Sequence, residues 1–226
     1  MKKNKDVYGV SSWYMTLADY TFPTTFVKLR ESEVQLIADG KTEGDEVDSI
    51  LSRLNNAQKS FSGSSVVFAD IVAPTDTDRF RDRKGAVSSA KMAWDNLIDS
   101  KKVREAASEK LFEYICVRPF RNMTRAREFR LYIHDGELKL MSQYWLVRKY
   151  ERLQGRKDIY WEKARNLVDE IAWLLPSDNI VLDIYFTSKE EILLIDFNKW
   201  DEPTKPLLAK SWDLDWETVH GIKIIE

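Results

Sequence analysis

The chain has 226 residues, 43% of them apolar and 12% aromatic, enough to bury a substantial core as one two-lobed domain or two small ones. Thirty-five basic residues nearly balance thirty-seven acidic ones, and a net charge of −2 gives no global bias toward nucleic acid or a membrane surface. One cysteine, Cys116, excludes an intramolecular disulfide and a thiolate zinc cluster; two histidines, His134 and His220, are too few for a histidine-based metal site; and no apolar run reaches the eighteen residues of a membrane span.

The charged opening "MKKNKDVYGVSSW" has no apolar segment behind it, so no signal peptide is expected and a reducing cytoplasm is the natural setting. "TTFVKL" predicts a short strand and "ESEVQLIAD" a helix closed by Gly40. In "VDSILSRLNNAQ", Val47, Ile50, Leu51 and Leu54 follow helical spacing. "SSVVFADIV" is a strand, "PTDTDRFRDRKG" a charged loop, and "AVSSAKMAWDNLIDS" a helix. "LFEYICVRPF" is a strand ending at Pro119, with Cys116 an inert buried thiol inside it. "EFRLYIHDGELKLMSQYWLV" is a hairpin about the favoured turn Asp135-Gly136. Ile159, Lys163, Leu167, Ile171 and Leu174 mark an amphipathic helix that Pro176 stops. Most of the eight tryptophans suit core packing, while Trp212 and Trp216 are candidates for a partner surface.

The next stretch carries the chemistry. "IVLDIYF" and "ILLIDFN" are two apolar runs separated by Thr187 to Glu191, a second hairpin. Asp183 and Asp196 fall on neighbouring strands, and Asn198, two residues on, shares a face with Asp196. A carboxylate in an apolar strand is costly unless something cationic or hydrogen-bonding faces it. Two carboxylates and an amide oxygen make a hard-oxygen site for Mg²⁺ held jointly with phosphates. The same two aspartates would equally serve as arginine partners in an ordinary core. Arg130, on an alternating strand, is the nearest such arginine.

Taken together, "VRPF" (Val117 to Phe120), "EFR" (Glu128 to Arg130), "MSQYW" (Met141 to Trp145), "LDIY" (Leu182 to Tyr185), "LIDFNKW" (Leu194 to Trp200) and a tail of Thr204, Leu207, Leu208 and Trp212 resemble the cell-division-cycle-123 family. These are ATP-grasp proteins that assist assembly of eukaryotic translation initiation factor two. The resemblance implies an α+β, ATP-grasp-like fold: two lobes with antiparallel sheets and a nucleotide cleft between them. It divides the chain into an N-terminal lobe, 1–110, and a C-terminal lobe with hinge and metal motifs, 111–226. It implies ATP and Mg²⁺ as cofactors, Val117, Arg118, Arg130, Asp183 and Asp196 at the nucleotide, and Asp183, Asp196 and Asn198 at the metal. Arg130 would be the catalytic charge on the phosphates.

At the level of function the expectation is an Mg-ATP-binding protein, either an ATP-dependent ligase joining a carboxylate to an amine or other nucleophile on a protein or peptide, or an assembly chaperone for a translation factor or other protein client. A degenerate protein-binding scaffold is a third expectation. A nucleotide and a protein client or acceptor are the expected partners, with no membrane and no nucleic acid. The sequence departs from the family pattern at Phe68, where the family has a phosphate-contacting lysine, at Pro119 and at Lys205. Lys28 would fill the gap only in an alternative alignment. Arg79, Arg81, Arg83 and Lys84 are the cations nearest in sequence.

Overall fold

Alternating strands, helices with one apolar stripe and short polar caps account for most elements of the computed structural model, which describes residues 6–226. These residues divide into two compact units, one made of residues up to Met15 with Phe22–Asn122, the other of Thr16–Thr21 with Met123–Glu226.

In the first unit, β1 (Thr25–Lys28), β2 (Ser65–Ala69), β3 (Ala86–Val87) and β4 (Tyr114–Pro119) form an antiparallel sheet in the order β1-β4-β2-β3. The first unit runs to Asn122, with β4 pairing β1 on one side and β2 on the other. Removing β4 would leave two strand edges without ladder partners.

Helices α2 (Glu31–Ala38) and α3 (Asp45–Gln58) supply Ile37, Ile50 and Leu54 to the core. Asp45, Glu46 and Asp48 in the first turn of α3 complement its dipole. The region expected to be one helix over 86–100 is split. β3 comes first, then Ser89 caps α5 (Ala90–Asp99) by accepting from the Met92 amide. Ser100 caps α6 (Lys101–Ser108) by accepting from the Val103 amide. Two serine caps outweigh the continuous helical period. The expected charged loop also contains a helix, α4 (Asp78–Arg83), capped by Thr77. It ends with Lys84 and Gly85 at positive φ, where a Cβ on Gly85 would meet the Phe80 ring at 2.8 Å. The sequence reading assigned no element to α6 or to α1 (Val10–Leu17).

In the second unit, β5 (Glu128–His134), β6 (Glu137–Gln143), β7 (Ile180–Phe186), β8 (Ile192–Lys199) and β9 (Gly221–Lys223) form a sheet in the order β8-β7-β5-β6-β9. Every pairing is antiparallel except β6 with β9. Asp135 and Gly136 both take positive φ, as a two-residue hairpin turn requires. The short α7 (Glu151–Gln154) precedes α8 (Lys157–Ile171), which packs on one face of the sheet. There Tyr160 stacks on Phe186 at 4.2 Å and meets Phe129 edge-on. Residues 172–174, expected to continue α8, tighten into a 3₁₀ turn. The opposite face carries Tyr132, Leu140 and Val181 under Ala209 and Trp216, with Trp200 and Trp212 against them. Trp216 stacks on Tyr132 at 5.7 Å, so Trp212 and Trp216 are core-forming rather than a partner surface. No helix among the described residues is long and apolar enough to cross a membrane.

Candidate functional site

One row across the second unit's sheet collects the residues singled out from sequence. Asp196 on β8 faces Asp183 on β7, Asp183 faces Arg130 on β5, and Arg130 faces Ser142 on β6. Directly opposite residues share a face, so all four project to the side away from α8. A bulge makes this possible. Asp183 pairs with Asp196 but Ile184 pairs with Leu194, which leaves Ile195 as an extra residue on β8. Under strict alternation Asp196 would share the side of the fully buried Leu194. The bulge turns Asp196 and Asn198 to the face of Asp183 and keeps Leu194 in the core.

The geometry is that of a tightly held buried charge pair. Arg130 Nε donates to Asp183 Oδ1 and Nη2 to Oδ2, both at 2.8 Å, and the two residues are only 5% and 6% exposed. Arg130 Nη1 donates to the Lys205 carbonyl at 2.7 Å. Burial disfavours the charged guanidinium, yet the Asp183 charge and hydrogen bonds outweigh it and raise the Arg130 pKa. Asn198 Nδ2 donates to Asp183 Oδ2 at 3.0 Å, which turns the amide oxygen to the other side. Asp196 Oδ1 accepts from the Phe197 amide at 2.9 Å. Like charges opposite one another on neighbouring strands repel, so the Asp183–Asp196 rung calls for positive charge. Arg130 supplies one, and the oxygens of Asp183, Asp196 and Asn198 are the donor types that Mg²⁺ takes.

Two further residues belong to this face and were not singled out. Glu128, two residues before Arg130, is buried, and burial pushes its carboxyl up to about 7, with Asp183 adding and Arg125 opposing. The Trp145 indole also opposes the rise, although its Nε1 makes no hydrogen bond within normal geometry. Burial and the Asp183 charge push the Tyr144 hydroxyl up to about 12, and its ring lies 5.3 Å from the Arg130 guanidinium. Both residues were visible in "EFR" and "SQYW", but burial beside a charge has no sequence signature.

The tail motif is explained by the same face. Arg130 binds the Lys205 carbonyl, the Tyr132 hydroxyl donates to the Pro206 carbonyl, and the Leu208 amide donates to Ser142 Oγ. Gln143, fully buried, donates to the carbonyls of Trp145 and Arg148 and accepts from the Ile225 amide. The buried polar atoms of "MSQYW" thus hold the loop and the tail in place.

The remaining candidates lie in the first unit. Val117 is fully buried in β4. Arg118 Nε donates to Thr24 Oγ1 at 2.9 Å, and its guanidinium lies 5.0 Å from the Phe68 ring, with Trp13 and Phe22 also against it. A cation therefore stands beside the position where the resemblance implies a lysine. Lys28 pairs with Glu113 and lies over Tyr114. Arg79 pairs with Asp95 and Asp99, Arg81 with Asp78, and Lys84 donates to Asn122. The cations of 79–84 are thus engaged within their own unit.

The fold is that of known Cdc123 structures. C-terminally truncated Cdc123 from Schizosaccharomyces pombe matches with a TM-score of 0.80 and 20% identity, covering 95% of this chain and 93% of that one. The sequence profile of the D123 family matches residues 61–221, and the chain belongs to that family. A translation initiation factor eIF2 assembly protein from Kluyveromyces lactis is 29% identical over 144 residues, 58% of this chain and 38% of that protein. A CDC123-like protein of Acanthamoeba polyphaga mimivirus is 21% identical over 243 residues, 93% of this chain and 69% of that protein. The match to the Kluyveromyces protein thus spans well under two thirds of its length.

Proposed function

We propose that this chain is an Mg-ATP-binding assembly factor acting on a protein client, with Asp196, Asp183 and Asn198 holding the metal. The observation that carries this reading is the row of Asp196, Asp183 and Arg130, aligned by a bulge whose effect is to expose a second carboxylate beside a buried ion pair. Asp183 already accepts three hydrogen bonds, close to the capacity of a carboxylate. Asp196 and the Asn198 oxygen are therefore the main ligands, with Asp183 beside them holding the Asn198 amide. Arg130 is fixed by three hydrogen bonds and acts as a stationary positive charge toward the phosphates. Asp196, Asp183 and Asn198 would hold Mg²⁺, whose charge when bound would offset that of the phosphates. Val117 and Arg118 remain proposed nucleotide-binding residues.

Membership of the D123 family, whose relatives include proteins named for eIF2 assembly, supports a client-binding role in the cytoplasm. The ligase reading shares the same metal residues and differs in turnover. Calorimetric titration with ATP, with and without Mg²⁺, on the parent and on Asp196→Ala tests the site. Mg-dependent binding in the parent and none in a folded Asp196→Ala chain is the expected result. Equal binding in both overturns the assignment, and no binding in the parent leaves only the degenerate scaffold. ATP held without release of ADP and phosphate in the presence of client marks an assembly factor; release that depends on an acceptor marks a ligase.

A further inference from the structure

A second group of ligand-type side chains lies where β5 turns into β6. His134 ends β5, Asp135 sits in the turn, and Glu217 follows Trp216 in the C-terminal segment. Each of the three brings one ligand atom into a set lying within 4.8 Å of one another. His134 Nδ1 is 3.4 Å from Asp135 Oδ2 and 4.0 Å from Glu217 Oε1. That nitrogen is buried and makes no hydrogen bond, an arrangement that costs stability unless something else meets it.

The His134–Asp135 separation is one that two ligands of a shared cation would take, with Glu217 slightly farther out. Bonds of about 2.1 Å in a tetrahedral site place neighbouring ligand atoms about 3.4 Å apart. The His134 ring and the backbone that carries the two carboxylates are also held in place. The His134 ring lies 6.4 Å from Trp216, stacked at 16°, and 5.3 Å from Trp200. The Asp135 amide donates to Asn179 Oδ1 at 2.8 Å, and the Gly136 amide to the Asp178 carbonyl at 2.9 Å. Trp216 is buried and its indole donates to the Trp212 carbonyl at 3.0 Å, which fixes the backbone just before Glu217. Lys139 donates to Glu137 at 2.9 Å and lies 3.9 Å from Glu217 Oε2, the oxygen not nearest His134. Three carboxylates against one lysine leave the cluster negative with the imidazole neutral.

We propose that His134 Nδ1, Asp135 and Glu217 form a zinc site that clamps the C-terminal segment to the β5–β6 turn, with water as fourth ligand. One imidazole nitrogen and two carboxylate oxygens suit Zn²⁺, whereas Mg²⁺ prefers an octahedron of oxygens. The site lies apart from the Asp183–Asp196 row and does not depend on the nucleotide reading.

The test is calorimetric titration of the full chain with Zn²⁺, and separately with Mg²⁺, followed also by tryptophan emission, because His134 lies against Trp200 and Trp216. Expected are one zinc bound with a change in emission, no such change with Mg²⁺, and undiminished zinc binding in Asp196→Ala. His134→Gln and Glu217→Gln should each weaken zinc by about tenfold or more. Asp135→Asn, at an exposed turn position, should do the same and serves if His134→Gln fails to fold. No zinc uptake would mark a plain histidine–carboxylate pair and overturn the proposal. So would zinc binding that survives all three substitutions, or that disappears in Asp196→Ala.

Discussion

In the first unit one buried carboxylate is Glu33, at the start of α2. The Arg30 amide and the guanidinium groups of Arg30 and Arg53 donate to it at 2.6–2.8 Å, and both arginines reach solvent. In the second unit Asp183 lies mid-strand, its partner Arg130 is equally buried, and Asp196 stands directly opposite. The first arrangement satisfies a backbone amide that a helix start leaves without a partner. The second caps no helix and fills no gap in the ladder, since β5 and β7 pair without it, and its one backbone contact is from Arg130 to the Lys205 carbonyl. A buried ion pair in a sheet whose ladder is already complete is weak support for a fold, so its reason is sought in what it presents. Under the proposed function, the contrast separates a charge kept for structure from charges kept for a ligand.

The largest test of that contrast is Asp183→Ala, which strands Arg130 in the sheet and should cost about 3–5 kcal/mol in denaturant unfolding. Adding Arg130→Met should recover most of the loss, because the pair together is close to neutral. A double variant no more stable than Asp183→Ala would make the pair structural, like Glu33.

Glu128 sharpens the comparison through pH. Its folded carboxyl titrates at about 7, against an ordinary value of 4.5, so the folded state holds its proton longer than the unfolded chain. Stability therefore falls as pH rises from 4.5 to 7, by about 3 kcal/mol in all. Glu128→Gln should match the parent near the lower limit and exceed it by about that amount above the upper one. Thermal midpoints across the range without nucleotide or metal check this, and parallel curves would retire the idea.

Glu33 has the opposite sign. Burial alone would raise its carboxyl, but the Arg53 and Arg30 hydrogen bonds outweigh burial and hold it at about 2. Its contribution is present above the ordinary value of 4.5 and is lost as pH falls toward 2. Because its arginines reach solvent, Glu33→Gln should cost only about 1–2 kcal/mol at neutral pH. A loss exceeding that of Asp183→Ala would invert the ranking of the two units. Smallest is Thr77→Ala at the cap of α4, about 1 kcal/mol in the same unfolding assay.

Local pattern determined much of this molecule. The two hairpins, the strand at Cys116 and the placing of Asp183 and Asp196 on neighbouring strands follow from alternation and from turn chemistry at Asp135-Gly136, which act over a few residues. The ordered motifs from "VRPF" to "LIDFN" placed the chain in its family for the same reason, each being a short run read directly. Helices α4 and α6 escaped because a charged sequence and a thin stripe of Val103, Ala106 and Ala107 carry little periodicity, and serine or threonine caps decide them. Tertiary structure alone settled that β4 belongs with β1 and β2, and that Gln143 and Ser142 hold the tail. It also brought Glu128 into the dry neighbourhood of Asp183 and added Ile195 as the extra residue that turns Asp196 toward Arg130. Alternation predicts which residues share a face only while the register is unbroken, and a bulge is a property of two strands together.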